Sequence, residues 1–254
     1  MHMLKQKNNR SPIKRIKKMI DELFENKFTI ECLEKVDSTN TYIEKKYLKK
    51  RIPAVVRADM QTGGMGTKGR SFISAPGGLY FSRLVFYDFL PIERSFEIMT
   101  GYAVAVVKTL HAFDIDAKIK WPNDILVNGK KICGILIKNG FRGDFVDYSL
   151  TGVGINVNNA ISPEISDIAI SMREAAGKTF DIDSVFFTFL KNAGERVSID
   201  EYKLYSAVLG KRVQVIRANE TFEAKAVDIS DDGRLVLENG EKLSAAELDL
   251  KIRL

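Results

Sequence analysis

The residues best equipped for chemistry lie between Lys120 and Gly134, in the run Lys-Trp-Pro-Asn-Asp-Ile-Leu-Val-Asn-Gly-Lys-Lys-Ile-Cys-Gly. The chain's one tryptophan, Trp121, stands there between a cation, Lys120, and a polar corner formed by Pro122, Asn123 and Asp124. Two more lysines, Lys130 and Lys131, follow. A lysine ammonium is a point charge on a flexible stem, suited to countering the negative charge that builds on a phosphoryl group in transfer. Pro122 has no amide proton and a fixed φ, so a strand should end before it, and Asn123 and Asp124 can fold back on the turn. Ile125, Leu126 and Val127 restart an apolar run, Asn128-Gly129 supplies a two-residue hairpin turn, and residues 132–137 return. Strand alternation sends Lys130 and Lys131 to opposite faces, so one of them points to where Trp121 and Asp124 lie. For an arbitrary sequence the better expectation is a core Trp and two lysines on a wet hairpin edge.

Three other clusters carry chemistry. Residues 61–72 place Gly63, Gly64, Gly66 and Gly69 among Lys68 and Arg70, a backbone able to wrap an anion with its amides. The stretch lacks the Gly-Lys-Ser ending of a nucleotide P-loop, and a plain flexible loop also explains it. Asp37-Ser38-Thr39-Asn40 follows a predicted strand over 29–36 and reads as a helix N-terminus ahead of Tyr42, Ile43 and Tyr47. Thr151-Gly152-Val153-Gly154-Ile155-Asn156 places two glycines where a ligand can approach the backbone and an amide that can face a phosphate, or else marks a bulge in a core strand.

Taken along the chain, the four clusters resemble those of the biotin protein ligases and stand in that family's order. That family's central motif is Lys-Trp-Pro-Asn-Asp followed by a hairpin and Lys-x-x-Gly-Ile-Leu, here Lys131 to Leu136. The resemblance implies an α+β fold: a class II synthetase-like mixed sheet with helices, as in biotin and lipoate ligases, followed by a small SH3-like β-barrel. It implies attachment of biotin to a lysine of a biotin carboxyl carrier protein or domain in two steps. The biotin carboxylate attacks the α-phosphate of ATP to give biotinyl-AMP and pyrophosphate, and the carrier lysine then takes the biotinyl group. Carried over position by position, Ser38, Thr39, Asn40, Gln61, Gly64, Gly66, Trp121, Lys131, Gly134 and Gly154 would seat biotin. Lys68, Gly69, Arg70, Phe72, Lys120, Trp121, Asn123, Asp124 and Asn156 would meet the nucleotide. Lys131 and Arg70 would counter phosphate charge as the catalytic pair, with Mg²⁺ held mainly by the ATP phosphates near Asp124 and Asn156.

The chain departs from the family's Gly-Arg-Gly-Arg-x-Gly-Arg loop at Met65 and Thr67, which stand where the family has arginines, and Phe72 replaces the usual Trp. Two lost guanidinium groups imply looser retention of the adenylate. Lys138 stands where the family more often has an acid. Two alternatives stay open: a lipoate or octanoate ligase or transferase of the same superfamily, whose usual motifs are absent, and a non-catalytic biotin or nucleotide sensor, which the eroded arginines suggest.

The rest of the chain must position these clusters. Its 254 residues, 45% hydrophobic and 28% charged, suffice for one sizeable domain and a small one. The formal charge of +6 is concentrated at residues 5–18 and 45–51, a basic tail and a basic helix end. Neither a membrane-length apolar run nor a signal peptide is evident, so the expected location is cytoplasmic. Cys32 and Cys133 are expected as buried free thiols, and His2 and His111 form no metal cluster or triad. Ser11-Pro12 opens an amphipathic helix with Ile13, Ile16, Met19, Ile20, Leu23 and Phe24 on one stripe. Residues 96–113 form the central buried helix and 185–205 a second, amphipathic one. After Leu209-Gly210-Lys211 come short alternating strands with turns at Asp231-Asp232-Gly233 and Glu238-Asn239-Gly240, the pattern of a small barrel. The expected division is a basic tail and helix over 1–28, a ligase catalytic domain over 29–207 and the barrel over 208–254. Only about thirty residues precede Cys32, fewer than the roughly fifty or more of an independent domain, so no sequence-specific DNA binding is expected. A monomer or homodimer is expected, with edge-strand pairing to the acceptor or to a second copy.

Overall fold

The computed structural model describes residues 28–193, 197–217 and 219–245 and the backbone of 251–253. The amphipathic helix expected near the N-terminus lies outside the described residues.

Seven strands form the main sheet in the order β1-β2-β3-β7-β6-β5-β4. They are β1 (Thr29–Val36), β2 (Ala54–Gln61), β3 (Leu79–Pro91), β4 (Lys118–Lys120), β5 (Asp124–Val127), β6 (Lys130–Arg142) and β7 (Phe145–Ile155). Only β1 and β2 run parallel. β2 shows why the sheet needs cover on both sides: Ala54 and Val56 point into one apolar cluster and Val55 into the other, by simple alternation. On the first face lies α1 (Thr39–Ile43), prolonged by a π-helical stretch over Glu44–Leu48, with Ile43 and Tyr47 buried against Leu84 and Leu150. On the second lies α2 (Phe96–His111), which buries Ile98, Tyr102, Val106, Val107 and Leu110 as the helical spacing requires.

The amphipathic run over 185–205 is two helices, α4 (Ile182–Asn192) and α5 (Ile199–Leu204). Ser198 starts the second by accepting from the Glu201 amide at 3.1 Å, a cap signal ahead of the acidic pair Asp200 and Glu201. Ahead of them, the short α3 (Met172–Ala176) is held by a capping box between Ser171 and Glu174.

The C-terminal strands β8 (Arg212–Ile216), β9 (Thr221–Ile229), β10 (Leu235–Leu237), β11 (Lys242–Leu243) and β12 (Lys251–Arg253) form an antiparallel sheet in the order β11-β10-β9-β8-β12. Among the described residues no pairing joins β11 to β12, so the expected barrel is seen as an open sheet. Its inward residues, Val213, Val215, Ala226, Leu235 and Leu237, are buried in the same core as α2. The connection is itself sheet-like: the Ile119 amide donates to Tyr205 O and the Ala207 amide to Ile119 O, both at 2.7 Å, laying Ser206 parallel to β4.

Candidate active site

The hairpin forms as its turn residues require, with φ of 51° at Asn128 and 76° at Gly129. One irregularity decides where its lysines go. Ile125 pairs with Cys133 but Leu126 pairs with Lys131, so Ile132 is an extra, unpaired residue on β6. In a regular strand Lys131 and Gly134, three apart, would face opposite sides; the bulge puts them on one. Lys131 Nζ there lies 2.6 Å from Asp124 Oδ1 and 5.9 Å from the centroid of the Phe72 ring. A Cβ built on Gly134 would come within 3.1 Å of that nitrogen, and one on Gly154, its partner across β7, within 2.5 Å of the Phe72 ring. The two glycines thus make a bay for an aromatic ring and an ammonium. Lys130 turns away and donates to Ser166 O at 2.7 Å. The Lys131 and Asp124 side chains are 36% and 25% exposed, and a pair so wetted contributes on the order of 1 kcal/mol or less. Little holds the ammonium on Asp124 if a phosphate arrives.

Beside this bay runs a polar chain. Thr39 donates to Gln61 Oε1 from its amide at 2.9 Å and from its hydroxyl at 3.1 Å. Gln61 Nε2 donates to Ser74 Oγ at 2.9 Å, and Ser74 in turn to Phe72 O at 3.1 Å. Ser82 Oγ lies 2.6 Å from the Thr39 hydroxyl. Ser38 is the N-cap of α1 but makes no side-chain cap bond, so the cap expected of it is not made. Asn40 is buried against Gly152, and its Oδ1 has no hydrogen-bond partner among the described residues. Ser74 and Ser82 were not expected here. For Ser82 the available signal was a serine in a strand otherwise opened by Leu79, Tyr80 and Phe81.

The glycine-rich stretch is tied down rather than open. The Thr62 and Gly63 amides donate to Val36 O and Asp37 O at 3.0 and 2.8 Å, and the Gly66 amide to Arg70 O at 2.7 Å. Gly64 is buried, and a Cβ there would meet Phe72 O at 2.4 Å. Lys68 and Gly69 form the tip with positive φ. Arg70, expected beside Lys131, instead curls within its own loop: its Nε donates to Thr67 O at 3.3 Å and its Nη2 to Thr67 Oγ1 at 3.2 Å.

Three residues expected to meet the ligands spend their polar atoms inside the protein. Trp121 is 3% exposed and donates its indole N–H to Gly233 O at 2.8 Å, which leaves little of the ring as a ligand wall. Asn123 Nδ2 donates to Ile135 O at 2.7 Å, closing the corner on β6. Asn156, 8% exposed, donates to Ile170 O at 3.2 Å and accepts from Asn159 Nδ2 at 3.1 Å. Among the described residues no three His, Cys, Asp or Glu gather as a metal site. Burial pushes the Cys133 thiol far above its usual range, so this free cysteine is inert filling under the hairpin.

Residues 32–156 match the model of the biotin/lipoate A/B protein ligase family, and residues 208–250 match that of the biotin protein ligase C-terminal domain. Over 213 residues the chain is 35% identical to the bifunctional ligase/repressor BirA of Bacillus subtilis, covering 77% of this chain and 66% of that protein. Over 202 residues it is 28% identical to the biotin--[acetyl-CoA-carboxylase] ligase of Mycobacterium tuberculosis, covering 73% of each. Its structure superposes on the Aquifex aeolicus biotin protein ligase in complex with biotin and ATP with a TM-score of 0.71 and 27% identity, over 89% of this chain and 98% of that one. The bay around Lys131, the two sheets in sequence and these matches agree: the chain belongs to the biotin protein ligase family.

Proposed function

We propose that this protein attaches biotin, through biotinyl-AMP, to a lysine of a biotin carboxyl carrier protein or domain. The observation that carries the reading is Lys131, brought by a bulge onto the face of Asp124, Gly134 and Gly154 beside the Thr39–Gln61–Ser74 chain. The buried hydroxyls and amide of that chain suit a small polar ring such as the biotin ureido group, with Asn40 Oδ1 as a further acceptor. Lys131 leaves Asp124 and counters the charge that develops as the biotin carboxylate attacks the α-phosphate and pyrophosphate departs. The amine of the carrier lysine then attacks the mixed anhydride, and AMP leaves. Arg70 and Lys68 join the site when the loop closes and Arg70 exchanges Thr67 for phosphate.

A Mg²⁺ ion suits this donor set only as a passenger of ATP. Asn156 Oδ1 is engaged by Asn159, and Asp124, once Lys131 has left it, is a single carboxylate, so the protein would only supplement the phosphate oxygens and waters that Mg²⁺ retains. When bound, the ion spreads phosphate charge. The compartment proposed for this reaction is the cytoplasm, where ATP and a carboxylase subunit would be at hand. Among the described residues no helix is long and apolar enough to cross a membrane.

The test is pyrophosphate release on adding biotin to protein and MgATP, followed by transfer of biotin to a carrier domain. Release driven by lipoate instead would move the protein to the lipoate branch. No release with either acid would leave a sensor.

A further inference from the structure

We infer that the turn between β9 and β10, residues 230–234, is a positioning device for the active site. It acts through the Trp121 indole rather than by touching a ligand. The inference rests on the ligase reading and adds a role for part of the chain that reading leaves unassigned.

The corner that carries Asp124 has little structure of its own: β4 contributes three residues and β5 four. Three contacts from the C-terminal part of the chain fix it from behind. Gly233 O accepts the Trp121 N–H at 2.8 Å. The Tyr202 hydroxyl, fully buried, donates to Pro122 O at 2.8 Å. The Ile119 backbone pairs with Tyr205 and Ala207. Phe96 joins the first two, standing edge-on to Tyr202 with ring centroids 5.7 Å apart and lying so close to Gly233 that a Cβ there would fall 2.2 Å from its ring. With a φ of 83° as well, position 233 admits only glycine.

The turn is also built to hold that carbonyl still. Asp232 accepts from the Ser230 hydroxyl at 2.5 Å and from Arg234 Nε at 2.7 Å, and the Gly233 amide donates to Ser230 O at 2.7 Å. These polar side chains make no contact with the Lys131 bay among those observed. The path therefore runs from Asp232 through the Gly233 carbonyl, the Trp121 indole and the Asn123–Asp124 corner to Lys131.

Because Trp121 is the only tryptophan, the protein's own fluorescence reports the first half of the path. The experiment compares the full-length wild type with Asp232→Ala, Asp232→Asn, Gly233→Val and, as a control in the same sheet, Glu223→Gln. Tryptophan emission, thermal unfolding, and kcat and KM for biotin-dependent pyrophosphate release are measured for each. Asp232→Ala and Gly233→Val are expected to shift Trp121 emission to the red and to lower kcat by about three- to tenfold, the rate equivalent of one neutral hydrogen bond. KM for biotin stays as in the wild type, Asp232→Asn recovers most of kcat, and Glu223→Gln changes nothing. Should Gly233→Val fail to fold, Asp232→Ala, at an exposed side chain, carries the comparison. Unmoved emission in Asp232→Ala overturns the proposal, and so does shifted emission with an unchanged kcat. A higher KM for ATP at unchanged kcat also overturns it, since the turn would then be touching nucleotide. A wild type that releases no pyrophosphate sinks the ligase reading, and this inference with it, before any variant is compared.

Discussion

The glycine-rich loop over 62–72 and the corner and hairpin over 120–134 are both polar, glycine-bearing and next to the same bay, yet they are held in opposite ways. At the tip of the loop Arg70 is held by an exposed, local tie to Thr67 three residues away, and only Phe72 at its end packs into the bay. The corner's ties are long-range and mostly buried, from Trp121 to Gly233 across 112 residues and from Tyr202 to Pro122 across 80. A charge that must meet a transition state gains from being fixed in advance. A cover that must admit ligands and then close gains from contacts that are cheap to exchange.

Four sets of substitutions test that contrast. The largest effect is expected at the fixed end: Lys131→Ala should lower biotin-dependent pyrophosphate release by about a hundredfold or more, as loss of a preorganised donor does elsewhere. Its thermal midpoint should stay near wild type, because the half-exposed pair with Asp124 adds little stability. Lys130→Ala, which loses only a bond to Ser166 O, should be near normal, and the reverse ranking would reassign the catalytic lysine.

At the movable end, Met65→Arg with Thr67→Arg should slow release of biotinyl-AMP. Each charge-assisted bond regained in a desolvated site is worth roughly 1.5 to 3 kcal/mol, or about ten- to a hundredfold in dissociation. Met65 is 43% exposed and Thr67 serves only to hold Arg70, so neither change disturbs the core. Labelling of bystander protein lysines by the unmodified enzyme, and its decline in the double variant, is the measurement. If the unmodified enzyme already keeps its intermediate for many minutes, other contacts close the loop.

Gly154→Ala probes where the two regions meet. Its methyl group would run into Phe72, costing about 1 to 3 kcal/mol as overpacking, and Phe72→Ala in the same chain should recover most of that loss in denaturant unfolding. An additive pair would mean that the ring does not occupy the bay. Smallest is Lys138→Glu, which sets an acid beside Glu44 where a 3.5 Å pair with both side chains over 40% exposed now stands; the change in unfolding free energy should stay within about 1 kcal/mol.

What could be read from the sequence was local. Alternation separated Lys130 from Lys131, Asn128-Gly129 gave the turn, and apolar spacing gave α2. The extra residue at Ile132 was not legible, because a bulge depends on the register of the partner strand. The break before α5 was signalled by Gly194 and by Ser198 ahead of Asp200 and Glu201, but the apolar spacing on either side was read through it. The resemblance placed Trp121 at the ligands, but what accepts its N–H lies in another sheet. Arg70 was read at the catalytic lysine from the closed loop that the resemblance implies, whereas in this structure it folds onto Thr67.

The segment joining the two sheets has a mechanical consequence. Ser206 makes a parallel bridge to Ile119 of β4, and the next residues, Ala207 and Val208, are buried, so the connection is a seam rather than a tether. Lengthening it would not add reach, as inserting residues into a flexible linker does; it would slip Ile119 out of register. Proteases should find no cut site there, and the two sheets should lose their structure in one transition, with the corner at Trp121 going at the same moment as the C-terminal strands.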